Sequence, residues 1–275
     1  MAINEKQLVG LQRAEFAKAS RLRLHVLGAQ LVIASVSVFA VFVVSAVYFA
    51  ALITALASLY WLYNWAEHRR SRAQAERARR ATLLMEGLGE TVSPTELSDL
   101  EASFSVSPEE GAALEDDNYY DTLAAPGRGR LTEMLEHACF FSYNLSKASG
   151  RFSVVAFLGA IVATILVVFA IVPFAENELI IGLIRVFCAV LTFLVSIDML
   201  GAAHGYFTAA HDLSKLQARL ESIRARGYPL ADLLLALCDY NSAVESAPMF
   251  VPGVYEANRD RFNELWGRRT ARSAQ

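Results

Sequence analysis

Residues Phe152–Tyr206 read FSVVAFLGAIVATILVVFAIVPFAENELIIGLIRVFCAVLTFLVSIDMLGAAHGY. No formal charge occurs from Phe152 to Ala175. A short acidic break, Pro173-Phe-Ala-Glu-Asn-Glu178, separates this arm from a second one, Leu179 to Ala203, whose only charges are Arg185 and Asp198. About 20 apolar residues of helix match the hydrocarbon core of a bilayer. Inside a bilayer every backbone polar group must find its partner within the segment, so the two arms are expected to be helices. The stretch predicts a membrane hairpin.

A second block leads to the same expectation. Leu24 to Ala66 holds 43 residues without a formal charge when His25 is neutral. At 1.5 Å per residue one helix of that length would extend roughly 65 Å, twice a bilayer core. The block is therefore expected to fold as two spans, with the turn near Ser45–Tyr48. Tyr60, Trp61, Tyr63 and Trp65 crowd the end of the second span, where amphipathic rings favour the membrane–water boundary. The whole chain is 55% hydrophobic over 275 residues, with a mean hydropathy of +0.34. That is too apolar for an ordinary water-soluble domain.

Between and around the blocks the chain is polar. Residues 1–25 carry charges of both signs and a loose apolar face of Leu8, Leu11, Phe16 and Leu22, which predicts a helix and no signal peptide. Arg69, Arg70, Arg72, Arg77, Arg79 and Arg80 fall within a run of twelve residues just beyond the second span's end. The positive-inside rule and attraction to anionic headgroups explain such a run; a nucleic-acid or phosphate site is the sharper alternative. That helix is expected to end near Gly87 and Gly89. From Ala81 to Gly127 there are eleven acidic residues and no Lys or Arg. Ser93-Pro-Thr-Glu96 and Ser107-Pro-Glu-Glu110 each place a capping serine before a proline, with a glutamate three residues after the serine, and predict two helix starts. Leu131, Met134, Leu135, Ala138, Phe141 and Leu145 predict an amphipathic helix running into the 152–206 stretch. Beyond it, Tyr206, Ala210, Leu213, Leu216, Leu220 and Ile223 step by threes and fours, a stripe suited to another helix or a second subunit. Gly227-Tyr-Pro229 ends that helix. A short helix over Leu230–Tyr240 and a last one over Val254–Arg268 are expected.

The flanks orient the chain. Arg13, Lys18, Arg21 and Arg23 precede the first span, and the six arginines follow the second. Arg128, Arg130, Lys147 and Arg151 precede the third; Lys215, Arg219, Arg224 and Arg226 follow the fourth. Neither expected outer turn contains Lys or Arg. Both termini and the central segment are thus expected in the cytoplasm. The expected fold class is an all-α membrane protein, with four transmembrane helices in two hairpins and helical cytosolic central and C-terminal parts. The segments are 1–25 (N-terminal helix), 26–66 (spans 1 and 2), 67–151 (cytosolic), 152–203 (spans 3 and 4) and 204–275 (cytosolic).

No catalytic motif is legible, and no enzyme is expected: GxSxG, HExxH, a Walker loop and dinucleotide fingerprints are absent. The five histidines form no i,i+4 pair. The three cysteines, Cys139, Cys188 and Cys238, are too scattered for a disulfide framework, and no metal or cofactor is expected.

The order of the polar pieces carries a resemblance. Leu11-Gln-Arg-Ala-Glu-Phe-Ala-Lys18 stands before the first apolar block. Tyr119-Tyr120 and Arg130-Leu-Thr-Glu-Met-Leu-Glu-His-Ala-Cys-Phe-Phe-Ser-Tyr-Asn-Leu-Ser-Lys147 stand before the second. Asp239-Tyr-Asn-Ser-Ala-Val-Glu-Ser-Ala-Pro248 and Leu265-Trp266 close the chain. In this order the chain resembles the SMODS-associated four-transmembrane effectors of bacterial anti-phage systems. The resemblance implies a cyclic oligonucleotide from a cognate nucleotidyltransferase as ligand, bound on the cytosolic side. It also implies disruption of the inner membrane by a homo-oligomer in contact with lipid, with no direct DNA or RNA binding.

Phosphates and base faces call for arginine forks and aromatic rings. Candidate ligand-binding residues are Arg128, Arg130, Tyr119, Tyr120, Tyr240 and Asn241. Arg185 and Asp198 are candidate pore or intramembrane charges. They lie 13 residues apart, about 20 Å along one helix, and so are not expected to pair within one arm. Arg185 is close enough to the outer end for its stem to reach Glu176 or Glu178. A constitutive channel or transporter subunit, and a membrane scaffold for a cytosolic partner, are the alternatives.

Overall fold

A computed structural model describes residues 4–116, 119–120, 122–171, 177–196 and 198–273. All regular elements among them are helical. They are α1 (Glu5–Phe42), α2 (Val47–Thr82), α3 (Pro94–Ser103), α4 (Pro108–Ala112), α5 (Arg128–Ile171), α6 (Asn177–Ser196), α7 (Met199–Ala225), α8 (Leu230–Ser246) and α9 (Val254–Ser273). A 3₁₀ turn at Val44–Ala46 separates α1 from α2, close to the expected turn, and a π-helical turn at Leu83–Leu88 extends α2. Gly89 follows it in the left-handed region (φ 73°), which a side chain would oppose.

The chain divides into two compact units. One, here the apolar unit, comprises 19–69 and 151–203; the other, the polar unit, comprises 1–18, 70–150 and 204–275. Helices α1, α2, α5 and α7 each have one end in each unit. Residues 1–25 are therefore not a helix of their own; α1 runs unbroken from Glu5 to Phe42.

In the apolar unit, α1, α2 and α5 are long and apolar enough to cross a membrane. Their apolar side chains point outward: Phe49 and Phe169 are more than 70% exposed, and Leu31, Leu52 and Leu166 more than half. Such a surface is stable only when something other than water covers it. Inside the unit, His25 Nδ1 lies 3.1 Å from the Tyr60 hydroxyl and His68 Nδ1 2.8 Å from the Ala19 carbonyl, linking α1 to α2. The acidic break of the 152–206 stretch falls largely outside the described residues, which omit 172–176. The expected second arm is not one helix. It breaks between α6 and α7 at Asp198, which takes a left-handed backbone (φ 49°) and accepts a hydrogen bond from the Gly201 amide at 3.1 Å. Asp198 is thus the N-cap of α7, a role that stabilises a helix start by about 1 kcal/mol.

The polar unit has a conventional core. Leu131, Met134, Leu135 and Cys139 of α5 pack on Leu213, Leu216, Leu220 and Ile223 of α7 and on Leu233, Ala236, Leu237 and Tyr240 of α8. The expected stripe on α7 is buried within one chain. A second cluster joins Leu8 and Leu11 of α1 to Ala78, Leu100 and Val106. Both serine caps form: Ser93 Oγ accepts from the Glu96 amide, and Ser107 and Glu110 make a reciprocal capping box. Helices α8 and α9 are longer than expected. The guanidinium of Arg72 donates to the carbonyls of Val244, Glu245 and Ala247 at 3.2, 3.0 and 2.6 Å, and a cation there satisfies the open C-terminal end of α8.

One buried carboxylate ties the sequence-distant pieces together. Glu15 of α1 accepts from the Ser105 amide (2.5 Å), the Val106 amide (3.2 Å) and the hydroxyls of Ser105 and Ser71. Close by, α1 and α4 touch through two glycines. A β-carbon on Gly10 would sit 2.3 Å from the Gly111 carbonyl oxygen, and one on Gly111 would sit 2.8 Å from Leu11.

Candidate functional site

The polar unit places one arginine in its interior. Arg79, near the end of α2, is 6% exposed. Its Nη1 lies 2.6 Å from Glu76 Oε2, one turn earlier on α2. Its Nη2 reaches Asn241 Oδ1 and Glu245 Oε1 of α8, both at 3.5 Å, at the limit of hydrogen bonding. Its guanidinium lies over the Tyr240 ring, 5.2 Å from the centroid, within the range of a cation–π contact. The Arg79 Nε is buried and makes no hydrogen bond. The Nε/Nη2 edge is thus the under-used edge of the fork, whereas the Nη1 end is held by Glu76.

Electrostatics fix the charge states. Burial opposes the Arg79 charge, but Tyr240, Glu76, Tyr120 and Glu245 outweigh it and raise its pKa, so the group stays cationic. Burial also raises the Glu76 carboxyl, against the pull of Arg79 and Arg72. The arginine stays charged because guanidinium is far from deprotonation in any case. Burial raises all three neighbouring phenols: Tyr240 is pushed up to about 12, Tyr120 well above its ordinary value and Tyr119 above its own, so all are neutral donors.

Four of the six residues singled out in the sequence gather here. Tyr240 and Asn241 touch Arg79 directly. Tyr120 lies in the same core cluster as Tyr240, and Tyr119 meets Tyr120 edge-on at 4.9 Å. Arg13 caps the far side, 5.7 Å from the Tyr119 ring centroid and 2.8 Å from the Leu114 carbonyl. The other two candidates are elsewhere. Arg130 pairs with Glu86 at 2.6 Å and donates to the Ala124 carbonyl at 2.7 Å, pinning the 122–127 segment to the π turn. Arg128 is exposed at the start of α5.

Arg79 itself was hidden among the six arginines read as membrane flank. Four of them have protein partners in the polar unit: Arg72 on the end of α8, Arg77 with Glu96 at 2.5 Å, Arg79 as above and Arg80 with Glu245 at 3.3 Å. Arg69 and Arg70 are exposed, and Arg69 stacks over Trp65 at 4.9 Å. Glu76, three residues before Arg79, was the available signal, since carboxylate and guanidinium at that spacing share a helix face.

In the apolar unit Arg185 of α6 is exposed and Asp198 is the helix cap already described. Glu176 lies outside the described residues, as does the side chain of Glu178, so the expected reach of Arg185 toward them falls there too. Among the described residues no group of three or more His, Cys, Asp and Glu could hold a metal ion.

No protein-family description matches the chain, and no curated protein or solved structure matches it.

Proposed function

We propose that this chain is a membrane effector of bacterial anti-phage defence. Its polar unit lies on the cytosolic side and binds a cyclic oligonucleotide. Its apolar unit then disrupts the inner membrane as an oligomer, through four helices in two hairpins with both termini in the cytoplasm. The observation that carries this reading is the buried Arg79, whose Nε makes no hydrogen bond and whose Nη2 makes only two long contacts at 3.5 Å. A side-on guanidinium edge donates two parallel hydrogen bonds to phosphate oxygens in one plane, and aromatic faces stack on bases. The two 3.5 Å contacts to Asn241 and Glu245 are the ones a phosphate would replace, leaving Glu76 in place. Asn241 is then free to read a base edge. Because Arg79 lies on α2, which also enters the apolar unit, a shift of Arg79 acts on a helix shared by both units. Arg185 would line the outer part of an oligomeric pore and Asp198 its cytoplasmic mouth.

The test uses the full chain in lipid vesicles loaded with a self-quenched dye. A panel of cyclic di- and trinucleotides is added and binding is followed by calorimetry. One member should bind and release dye, and Arg79→Lys should lose both responses while remaining folded. Leakage without any ligand would favour a constitutive channel. Neither binding nor leakage, with intact binding of a partner protein, would favour a scaffold.

A further inference from the structure

The acidic stretch between α2 and α5 leaves several carboxylates without a cation. Glu86, Glu96 and Asp116 are matched by Arg130, Arg77 and Arg13. Glu101, Glu109 and Glu115 make no ion pair among the described residues, and all three are exposed. They line one groove of about 500 Å³, whose apolar floor includes Leu11, Phe104 and Val106. The groove is preformed: the close approach of Gly10 to Gly111 holds α1 against α4, and the Glu15 hydrogen bonds hold the 105–106 backbone against α1. An apolar floor with an anionic rim fits a helix that presents an apolar anchor between cations.

The same chain carries such a helix face. On α9, Arg261, Leu265 and Arg268 are spaced i, i+4 and i+7, so they share one side. All three are exposed. Phe262 and Arg269 lie about a quarter turn round the helix from that side: Phe262 is buried beside Val254, and Arg269 donates to Gln217 and Glu221 at 2.9 and 3.0 Å. Among the described residues Arg268 pairs with Glu264, in an exposed pair of its own helix, which contributes little. No residue of α9 lines the groove of its own protomer.

We infer that the Arg261–Leu265–Arg268 face of α9 docks in the acidic-rimmed groove of a second copy of this chain. Groove and helix face are different surfaces, so the contact is head-to-tail. Such contacts close into rings or continue as filaments rather than stopping at a dimer. Confinement of the copies to one membrane plane raises their effective concentration and lets a small contact suffice. The inference supplies the interface for the oligomer in the reading above and rests on that reading only for the presence of an oligomer.

The experiment uses the full chain in detergent and in nanodiscs, with mass read by light scattering. The wild type should assemble, and assembly should weaken on going from about 0.05 to 0.5 M salt, because rim charges are screened. Arg261→Glu/Arg268→Glu and Glu101→Arg/Glu109→Arg should each yield protomers. The combined charge-swapped chain should assemble again, a rescue that a misfolded variant would not give. A monomeric wild type, or undiminished assembly of Arg261→Glu/Arg268→Glu, overturns the inference. Loss of assembly with the groove variant alone assigns the groove to another segment and also overturns it. Dye release that persists while assembly is unaffected by these changes leaves the functional reading standing without this interface. Assembly that behaves as expected without ligand-dependent dye release does the reverse.

Discussion

The Arg79 guanidinium carbon stands 5.2 Å from the centre of the Tyr240 ring, joining the end of α2 to the middle of α8 across 161 positions of sequence. With Glu76 at 2.6 Å this makes a cation held by an acid on one side and an aromatic face on the other. Removing a single member leaves its partner buried and unmatched.

Arg79→Ala should therefore destabilise the polar unit by about 3 kcal/mol, since Glu76 would remain buried with only Arg72 at 3.7 Å. The double change Arg79→Met/Glu76→Met should recover most of that loss while abolishing ligand binding. Denaturant unfolding in a background with Trp61 and Trp65 replaced, so that Trp266 alone reports, reads the stability, and calorimetry reads the binding.

Glu15→Ala should cost about 3 kcal/mol, because the amides of Ser105 and Val106 and the hydroxyl of Ser71 lose their acceptor in a buried place. Glu15→Gln keeps one acceptor oxygen and should cost about half as much. Proteolysis of the 103–107 segment should accelerate in the same order.

Gly10→Ala should push α1 from α4, because the added carbon would meet the Gly111 carbonyl at 2.3 Å. A backbone oxygen cannot swing aside as a side chain would. The expected loss is about 2 kcal/mol, read as a lowered melting temperature. Gly28→Ala, where nothing lies within 4 Å, should have no such effect.

Stability should depend on pH at both ends. Tyr119, Tyr120 and Tyr240 have phenols raised by burial, so the folded state holds their protons more tightly. Their contribution is complete below the ordinary value of 10 and is lost as pH climbs through the folded values, about 12 for Tyr240. Their tyrosinate absorbance should appear only together with unfolding. Burial likewise raises Glu76 and Glu136, whose contribution is complete below 4.5 and declines as pH rises through the raised values. Glu76→Gln and Glu136→Gln should each flatten that decline.

If the chain acts as proposed, Arg185→Leu should lower ligand-triggered leakage at unchanged ligand affinity, because the charge lies in the apolar unit and the proposed ligand residues in the polar one. Normal leakage from this variant, with normal expression, would reduce Arg185 to an interfacial anchor. Gly201→Ala crowds the Asp198 carboxylate to 2.2 Å and should weaken the start of α7 by about 1 kcal/mol.

Much of the architecture was legible because long uncharged runs admit few forms in any solvent. The Ser93 and Ser107 caps were legible because their hydrogen bonds are local. Glu15 was not: its partners lie 56 to 91 positions away, so nothing near it marks a buried acid. Tyr240 and Asn241 stood out by residue type, whereas Arg79 did not, because a run of arginines beside a span is explained equally well by lipid. Only burial separates Arg79 from Arg69 and Arg70. The break at Asp198 carried a legible cap three residues before Gly201, masked by the apolar residues around it.

The division of the polar unit into three chain pieces sets an order of manufacture. A nascent chain displays Glu15 long before Ser105 is made, and Arg79 long before Tyr240. Glu15 can close on Ser71, Ser105 and Val106 early, but Arg79 must wait in water while the 152–206 stretch leaves the ribosome. The polar unit is thus finished last, and a product that stops short of α8 carries every long apolar helix but no enclosed arginine. Quality control of such truncated products, rather than of the mature protein, is where the cell would first meet the long apolar helices without the finished polar unit.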